Sequence, residues 1–428
     1  MNEYKKRIID DELRFRLKVF GAILICGPKG CGKTRSAKEI AKSVIEFQDE
    51  DTREGLLNVA NTSPSMLLDG EKPRLFDEWQ DAPKLWGTIR KYCDDNPELK
   101  GQFILTGSSS NGIHTPHTGT LRISTIEMMP MSLYETEESN GSISLSELFN
   151  HPDTNIACKS NLSIEQLIFA ICKGGWPEAL TVDSKKEKLF FAKEIFNQTC
   201  NKDISAIDQV KRSPSYTKSM MKSLARNICT LAAKNNIFND ANANCGISKS
   251  TFKEYYDALE RLYIIKDIDA WCPAIRSKTA IRSNKKRNLI DPSIAVAALG
   301  LNPDYFKTDF KTLGFLFESL CIRDLQIYSQ KSGGSISYYH DRYGLEADCV
   351  LHLEDGRYAL IEFKLGEHEV DLGAKHLCKL ESLVSEYNQR EKQCPLRLPD
   401  LKIIITATEY GYRRNDGVYV IPIGCLKD

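Results

Sequence analysis

The sequence feature that most constrains this chain is a glycine-rich octapeptide near its amino terminus. It consists of Gly27, Pro28, Lys29, Gly30, Cys31, Gly32, Lys33 and Thr34. An apolar run at 22–26 predicts a buried strand before it, and a helical pattern is expected from Arg35 to about Ile45 after it. Glycines let successive backbone N–H groups surround phosphate oxygens, and the helix adds the positive end of its dipole. This order of strand, loop and helix predicts a nucleotide phosphate site rather than an ordinary glycine turn.

The loop residues 27–34, together with Arg35, are therefore the predicted cofactor-binding residues. Lys33 is expected to reach the β- and γ-phosphates of ATP and to take part in hydrolysis. The Thr34 hydroxyl is expected to bind Mg²⁺, so the predicted cofactors are ATP and Mg²⁺.

Two carboxylates, Asp77 and Glu78, end a short strand-like segment at 73–80 downstream of the loop. Mg²⁺ needs a carboxylate at a strand end in this position. Asp77 is therefore predicted to hold the metal shell and Glu78 to polarise the water that attacks the γ-phosphate. The alternative is a solvated acidic turn, because Asp-Glu pairs are common.

A further apolar strand is predicted at 102–107, and it ends in small hydroxyl residues. Such residues can place a polar side chain beside the γ-phosphate. Ser108 is the first candidate for this role and Thr106 the second. A serine-rich turn that caps the next helix is the alternative.

The composition limits the classes to which this chain can belong. At 428 residues it is expected to form two or three domains of ~100–200 residues. Lys+Arg and Asp+Glu are equal at 58 each, so a DNA-binding surface must be a local patch. The 14 cysteines include no C-x-x-C pair and no Cys/His quartet at zinc spacing. With neither a signal peptide nor a membrane span in the pattern, we expect a soluble cytoplasmic protein without membrane contacts.

Several short strings, taken together, resemble a known family. In the first domain they are 27–34, Leu75-Phe76-Asp77-Glu78-Trp79-Gln80, Leu105-Thr106-Gly107-Ser108-Ser109, His117-Thr118-Gly119 and Arg122-Ile123. Downstream they are Gly174-Gly175-Trp176-Pro177-Glu178, Ser223-Leu224-Ala225-Arg226-Asn227 and Asp291-Pro292-Ser293. Along nearly its whole length the chain is similar to prokaryotic AAA-type ATPases that carry a C-terminal region of unknown function.

The resemblance implies an α/β protein with three domains. These are a P-loop AAA-type ATPase domain at 1–140, a helical and winged-helix-like region at 141–300, and a C-terminal α/β domain related to PD-(D/E)XK nucleases at 301–428. It also implies a homo-oligomer, in which Arg122 is the candidate arginine finger because it stands where the family usually keeps a Gly-x-x-Arg segment. A surface salt bridge of Arg122 is the alternative.

The middle region carries no catalytic pattern. The stretch 135–163, rich in Glu, Ser, Asn and Pro, is interpreted as a linker, and Ser250 to Leu262 is predicted to be the second helix of a winged helix-turn-helix. A basic patch on the wing would contact DNA, and its residues are Arg276, Lys278, Arg282, Lys285, Lys286 and Arg287. Solvated hairpin residues or a protein contact are the alternatives.

The C-terminal region contains an acidic pattern on predicted elements. Glu318 lies on an apolar face of a helix predicted at 313–327, where a carboxylate is costly without a partner. We expect the partner in a hairpin at 347–364. With a three-residue turn Asp348 lies directly opposite Glu362, whereas a two-residue turn would send the two acids to opposite faces.

In the three-residue register, Asp348, Glu362 and Lys364 fit the PD-(D/E)XK pattern. In that pattern the two acids bind Mg²⁺ and the lysine positions the attacking water, and Glu318 resembles an added helical metal ligand. The sequence therefore favours an ATPase coupled to a metal-dependent nuclease-like domain that acts on DNA, in defence or mobile-element control. The alternative is a nucleotide-dependent switch whose inactive nuclease-like fold, with its acids in a buried ion network, binds nucleic acid or a protein.

Overall fold

The computed structural model describes residues 4–107, 121–243, 246–273, 283–391, 393 and 395–428. Ser108, the 117–119 string and the wing residues Arg276, Lys278 and Arg282 lie outside these ranges. No helix in the described ranges is long and apolar enough to cross a membrane.

The first domain is built on a five-stranded parallel sheet in the order β2-β3-β4-β1-β5. Its strands are β1 Ala22–Cys26, β2 Ser43–Glu46, β3 Arg74–Asp77, β4 Phe103–Gly107 and β5 Ile123–Glu127. The helices around it are α1 Ile9–Val19, α2 Lys33–Lys38, α3 Arg53–Thr62 and α4 Lys84–Asp95. Because the strands are parallel, their carboxyl ends meet at one edge of the sheet, which is where such folds bind ligands.

The helix expected from Arg35 to about Ile45 is shorter than predicted. It ends at Lys38, and the following residues form β2. Val44 and Ile45 pair with Leu75 and Phe76 of β3. Tertiary pairing of β-branched residues therefore overrides the helical pattern here.

The middle region is mainly helical. Its helices are α5 Leu145–Asn150, α6 Ile164–Lys173, α7 Lys185–Gln198, α8 Ile204–Ala206, α9 Pro214–Arg226, α10 Lys234–Asn242, α11 Lys249–Arg261 and α12 Pro292–Leu299. Its short strands are β6 Ile143–Ser144, β7 Ala157–Lys159 and β8 Asp269–Ala270. After α11 the chain forms two antiparallel bridges, Ile265 with Leu289 and Ile268 with Lys286.

The C-terminal region contributes two long helices and most of an eight-stranded mixed sheet. The helices are α13 Phe310–Tyr328 and α14 Val370–Arg390. The strands are β9 Ser335–His340, β10 Glu346–His352, β11 Tyr358–Lys364, β12 Leu401–Thr406, β13 Tyr410–Arg413, β14 Tyr419–Pro422 and β15 Leu426–Lys427. The sheet order is β7-β13-β14-β12-β11-β10-β9-β8, and β15 pairs with β6 outside it. One face packs on α13 and the other on α14, as the two separate apolar clusters indicate.

The segment 135–163, interpreted from its composition as a linker, is not an extended linker. It contains α5, and its strands β6 and β7 pair with β15 and β13. The linker interpretation relied on the polar residues of the segment. Its apolar residues, among them Leu145, Leu148 and Phe149, are buried and hold it in the fold. The segment therefore ties the first domain to the C-terminal sheet.

Candidate functional site

The phosphate loop lies where β1 ends and α2 begins. Gly27 and Gly32 have φ angles of 146° and 102°, a conformation that residues with a side chain rarely adopt. A Cβ at Gly27 would lie 2.2 Å from the Met128 carbonyl oxygen, so a side chain is excluded there. The glycines therefore permit the tight turn between strand and helix that a phosphate loop requires.

Lys33, the first residue of α2, is buried, and its side chain turns back over the loop. Its Nζ donates to the carbonyl oxygens of Gly27 at 3.0 Å and Pro28 at 2.9 Å. Both acceptors are neutral main-chain groups. A triphosphate would offer the ammonium charged acceptors, and charge-assisted hydrogen bonds are the stronger ones.

Three oxygen-bearing side chains meet at the carboxyl edge of the sheet. Thr34 Oγ1 donates to Asp77 Oδ1 at 2.7 Å, and Thr106 Oγ1 donates to the same oxygen. Hydroxyl and carboxylate oxygens are the ligands that Mg²⁺ prefers. The residues present fit this metal, and Thr34 and Asp77 would hold it. Ser108, the first candidate beside the γ-phosphate, lies outside the described residues, whereas Thr106 reaches the predicted metal ligand.

Glu78 directly follows the metal carboxylate in an unusual backbone conformation. Its φ is 52°, which is uncommon for a residue other than glycine and often marks a functional site. Its backbone N–H donates to Thr106 Oγ1 at 3.4 Å, and the Gln80 amide donates to its carboxylate. Glu78 lines the cavity in front of the phosphate loop. This position suits the predicted role of orienting the attacking water.

The cavity in front of the loop has a volume of about 1950 Å³, larger than the ~300–1,000 Å³ of most ligand pockets. All three regions contribute to its walls. These residues include Lys33 and Glu78 from the first, Pro177 and Asp203 from the middle, and Lys331 and Asp428 from the C-terminal region. A nucleotide in this cavity would therefore lie next to residues of all three regions.

Arg7 connects the phosphate loop to the chain that leaves the first domain. Its guanidinium donates to the Cys31 carbonyl at 2.9 Å, to the Met129 carbonyl at 2.8 Å and to Glu135 Oε1 at 2.9 Å. The other Glu135 oxygen accepts from the Ser132 backbone at 2.8 Å. Arg7 is only 4% exposed, so the loss of either charged partner would leave a buried charge, at a cost of about 3–5 kcal/mol.

The middle region also lies against the phosphate loop. A Cβ at Gly30 would lie 3.8 Å from the Trp176 ring, and one at Gly32 would lie 3.3 Å from Pro177. Lys29 Nζ contacts Asp203 Oδ1 at 2.6 Å. The Gly-Gly-Trp-Pro string thus lies against the phosphate loop.

Three buried charged residues, Asp291, Arg323 and Asp324, form what we call the arginine cluster. Arg323 contacts Asp291 at 2.8 Å and Asp324 at 2.7 Å. The Gly175 backbone N–H donates to Asp291 at 3.0 Å, and the Leu133 N–H donates to Asp324 at 3.0 Å. Burial alone would lower the pKa of Arg323, but the two carboxylates raise it.

The arginine cluster therefore binds both segments that hold the phosphate loop. One contains Gly175 and Trp176, whose indole also donates to Ser293 at 2.9 Å. The other contains Leu133, two residues before Glu135. The Asp-Pro-Ser and Gly-Gly-Trp-Pro strings, which are far apart in sequence, thus meet at one site.

Arg122, the candidate arginine finger, lies at the amino edge of the sheet, because its carbonyl accepts from the first residue of β1. Its guanidinium pairs with Asp94 of α4. The phosphate loop is at the opposite edge, so Arg122 does not serve the site of its own chain. Its role in another subunit stays a prediction.

The C-terminal hairpin has the three-residue register. Cys349 pairs with Ile361 and His352 with Tyr358, and this register sets Asp348 opposite Glu362. The turn glycine, Gly356, has a φ of 86°. The prediction that the two acids share a face is therefore confirmed.

A lysine and a histidine of the protein lie directly on these acids. Glu362 contacts Lys364 Nζ through one oxygen at 2.8 Å and His376 Nδ1 through the other at 3.0 Å. Lys364 Nζ is also 3.9 Å from Asp348. Burial raises the pKa of Glu362, and Lys364 offsets part of that rise.

Glu318 does have a partner, but it does not come from the hairpin side chains as expected. Lys286 Nζ lies 2.6 Å from Glu318 Oε1 and 3.0 Å from the Asp348 carbonyl oxygen. Burial raises the pKa of Glu318 to about 7, and Lys286 offsets part of the rise. Burial alone would lower the pKa of Lys286, but Glu318 and Asp348 raise it, so Lys286 stays cationic.

The predicted basic patch on the wing is wrong for two of its residues. Lys286 is 7% exposed and Arg287 is 3% exposed. Arg287 pairs with the buried carboxylate of Asp267. Lys285 is half exposed and pairs with Asp269 at 3.0 Å. Lys286 and Arg287 are both buried because each pairs with a carboxylate inside the protein, Glu318 and Asp267 respectively, and of the three only Lys285 stays exposed.

Several residues of these sites have no local signal in the sequence. Arg7 and Glu135 are 128 positions apart, and Lys29 and Asp203 are 174 apart. Only the cost of the lone carboxylate at Glu318 indicated that a cation was missing from the prediction.

Three family models match consecutive parts of the chain. Residues 20–137 match an AAA domain, 164–305 match a domain of unknown function (DUF8612), and 313–426 match a second domain of unknown function (DUF4143). The parallel sheet, the phosphate loop and the first match define an AAA-type ATPase domain, and the protein is an ATPase. No curated protein matches the sequence.

Two solved structures show weak similarity. The Walker-type ATPase of Pyrococcus abyssi has 14% identity and a TM-score of 0.40, over 68% of this chain and 94% of that one. A signal transduction ATPase with numerous domains and a tetratricopeptide repeat sensor, from Pyrococcus horikoshii, has 14% identity and a TM-score of 0.24, over 78% of this chain and 48% of that one. Both TM-scores are below 0.5, so neither structure defines the fold of this chain.

Proposed function

We propose that the protein is a nucleotide-dependent switch in which ATP and Mg²⁺ at the phosphate loop change how the first domain contacts the other two regions. One observation carries this proposal. Arg7 holds the main chain of the phosphate loop, Trp176 lies beside the same loop, and both contacts lead to the arginine cluster. A shift of the loop would therefore reach the middle and C-terminal regions together.

The residues of the site have separate parts in hydrolysis. Lys33 would exchange its two carbonyl contacts for the β- and γ-phosphates, Thr34 and Asp77 would hold the metal, and Glu78 would orient the water. When bound, Mg²⁺ neutralises charge on the β- and γ-phosphates. Lys29 is paired with Asp203, so a phosphate that attracts Lys29 would weaken a contact to the middle region.

The switch is tested by a substitution that does not touch the nucleotide. Asp291→Asn weakens the arginine cluster, and we expect the ATP turnover rate to change at least about 5-fold. Asp304→Asn is the matched control, because Asp304 is exposed and paired only with Lys307 among the ion pairs described, and should stay within about twofold. Ser293→Ala, which removes only the Trp176 bond, is a milder second variant. If Asp291→Asn and Ser293→Ala both fold and turn over ATP like wild type, the switch proposal is wrong while the ATPase assignment stands.

The proposal includes a homo-oligomer in which Arg122 acts on a neighbouring subunit. Its supporting observation is that Arg122 is about half exposed and far from its own phosphate loop. Turnover per subunit should then rise with protein concentration, and Arg122→Ala should abolish that rise. A specific activity independent of concentration would exclude the role. A cytoplasmic location belongs to the same proposal, supported by the free thiols of the described cysteines.

A metal-dependent nuclease acting on DNA is the second candidate. The shared face of Asp348, Glu362 and Lys364 favours it, and the helix order followed by two antiparallel bridges supports a winged helix as the DNA contact. Plasmid nicking with Mg²⁺ or Mn²⁺ that is lost in Glu362→Ala would support this activity. Failure to cut DNA or RNA, with or without ATP, would exclude it.

A further inference from the structure

The acids Glu318, Asp348 and Glu362, which we call the acid cluster, have lysine side chains of the protein beside them. The Lys286 ammonium bridges Glu318 Oε1 and the Asp348 carbonyl oxygen, at 2.6 and 3.0 Å. Glu362 Oε1 lies 3.0 Å from His376 Nδ1, and Oε2 lies 2.8 Å from Lys364 Nζ in an ion pair without a well-aligned hydrogen bond. Lys286 is buried and comes from a different part of the chain than the other members.

The residues of the acid cluster do not fit a divalent metal in this arrangement. Mg²⁺ requires near-octahedral oxygen coordination at ~2.0–2.1 Å, whereas here the Lys286 ammonium lies on the Glu318 carboxylate and the Lys364 ammonium lies on Glu362 and 3.9 Å from Asp348. Within the described ranges, which include the whole cluster, no group of three His, Cys, Asp or Glu residues is placed to hold a metal ion. Two lysines, Lys286 and Lys364, pair with these carboxylates instead.

We infer that Lys286 is a tethered cation that takes the place of a divalent metal in the acid cluster, and that it fastens the middle region to the C-terminal sheet. The charge closes the cluster to metal as long as the segment that carries Lys286 stays in place. A metal can enter only if that segment moves away.

The surroundings of Lys286 support this fastening role. Its backbone bridges Ile268, and the strand that follows Ile268, β8, pairs with β9 at the edge of the C-terminal sheet. Two residues further on, Asn288 accepts from Ser319 at 2.7 Å, beside the Lys286 to Glu318 contact. The same two segments are thus joined by an ion pair and a hydrogen bond side by side.

Burying a lysine is unfavourable in free energy unless its charge is compensated. Removing its carboxylate partner would leave an uncompensated charge, and removing the lysine would leave Glu318 in the same condition. A neutral residue would suffice for packing alone. The cost of burying Lys286 is offset if the acid cluster needs a positive charge, because the lysine then supplies that charge without a metal.

The test counts Mn²⁺ bound to the full chain, in the absence of nucleotide, by electron paramagnetic resonance. All variants carry Asp77→Asn, which removes the predicted metal ligand at the phosphate loop. We expect this protein to bind no Mn²⁺ at the acid cluster. Adding Lys286→Met should create one Mn²⁺ site per chain, and adding Asp348→Asn to that should abolish it.

Lys285→Met is the matched control for Lys286→Met. It removes the neighbouring positive charge, which is half exposed and paired with Asp269, and it should create no Mn²⁺ site. If Lys285→Met and Lys286→Met raise Mn²⁺ binding equally, general electrostatics explains the gain and the inference fails.

A second comparison tests the inference even if Lys286→Met does not fold. Asp77→Asn protein with an intact acid cluster is compared with the same protein carrying Asp348→Asn. Equal, negligible Mn²⁺ binding by both supports the inference. One Mn²⁺ per chain that Asp348→Asn removes would overturn it and would strengthen the nuclease candidate, while leaving the ATP switch untouched.

Discussion

The phosphate loop and the acid cluster are built from the same chemical groups, a lysine and carboxylates near the ends of neighbouring strands. In the part of the chain that the structure describes, Lys33 contacts main-chain carbonyls and Asp77 accepts from two threonine hydroxyls. In the acid cluster the lysines contact the carboxylates directly.

This difference separates a site whose contacts can be exchanged for those of a ligand from a site whose charged groups already pair with one another. Contacts to neutral groups can be exchanged for a phosphate or a metal without leaving a buried charge behind. A direct, buried ion pair cannot be exchanged in that way, because the partner that remains would be unpaired. Similar motifs can therefore serve opposite purposes.

The largest difference between the two regions should be in stability. Lys286→Met leaves Glu318 buried and unpaired, and we expect the free energy of unfolding to fall by about 3–5 kcal/mol. Lys33→Met removes hydrogen bonds to two carbonyls and should cost about 1–2 kcal/mol. Urea unfolding followed by circular dichroism measures both. Equal costs would remove the distinction between the regions.

For ATP hydrolysis, in contrast to stability, the larger effect should come from the lysine of the phosphate loop. Lys33→Ala is expected to lower kcat about 100-fold, because it removes a cation that stabilises charge in the transition state. Lys29→Ala, in the same loop but with an exposed side chain paired with Asp203, should lower kcat less than Lys33→Ala, because it removes a contact to the middle region and not the buried lysine of the loop. A similar loss in both variants would show that the loop acts through its overall charge.

The contact between the regions is tested at Gly175. A Cβ there would lie 2.0 Å from the Met131 carbonyl oxygen, so Gly175→Ala should cost about 1–3 kcal/mol of folding stability. Gly366→Ala, where nothing lies within 4 Å of the added Cβ, should stay within about 0.5 kcal/mol. Thermal unfolding of the pair gives the comparison. A neutral Gly175→Ala would mean that this close approach is dispensable.

The smallest effect should come from a direct ion pair at the surface. Arg414 contacts Asp371 at 2.7 Å, but the Asp371 side chain is 77% exposed. Arg414→Met should change the unfolding free energy by less than about 1 kcal/mol, and the change should shrink at high salt. A cost as large as that of Lys286→Met would mean that burial does not explain the behaviour of the acid cluster.

The parts of the molecule that could be predicted from sequence are those whose geometry is local. Glycines 27, 30 and 32 specify the loop, and the turn that ends in Gly356 fixes the register of Asp348 against Glu362. Each depends on residues close together in the chain. The short helix α2 was mispredicted because the pairing of β2 with β3, a contact between distant segments, decides where the helix ends.

The rest depends on contacts between distant residues. Lys286 looked like part of an exposed basic run, and only the folded chain brings it to Glu318. Arg7 and Glu135 meet from opposite ends of the first domain. From a single sequence one can predict that a buried charge needs a partner, but not which distant residue is that partner.

The most direct test of the central claim is hydrogen exchange at the two backbone amides that bind the arginine cluster, those of Gly175 and Leu133. The comparison is made with and without Mg²⁺ and a non-hydrolysable ATP analogue. If ATP is communicated through these contacts, exchange at 131–135 and 174–178 should change about tenfold, or about 1.4 kcal/mol of local opening free energy, in wild type but not in Lys33→Ala. Unchanged exchange at both segments in wild-type protein saturated with the analogue would contradict the account.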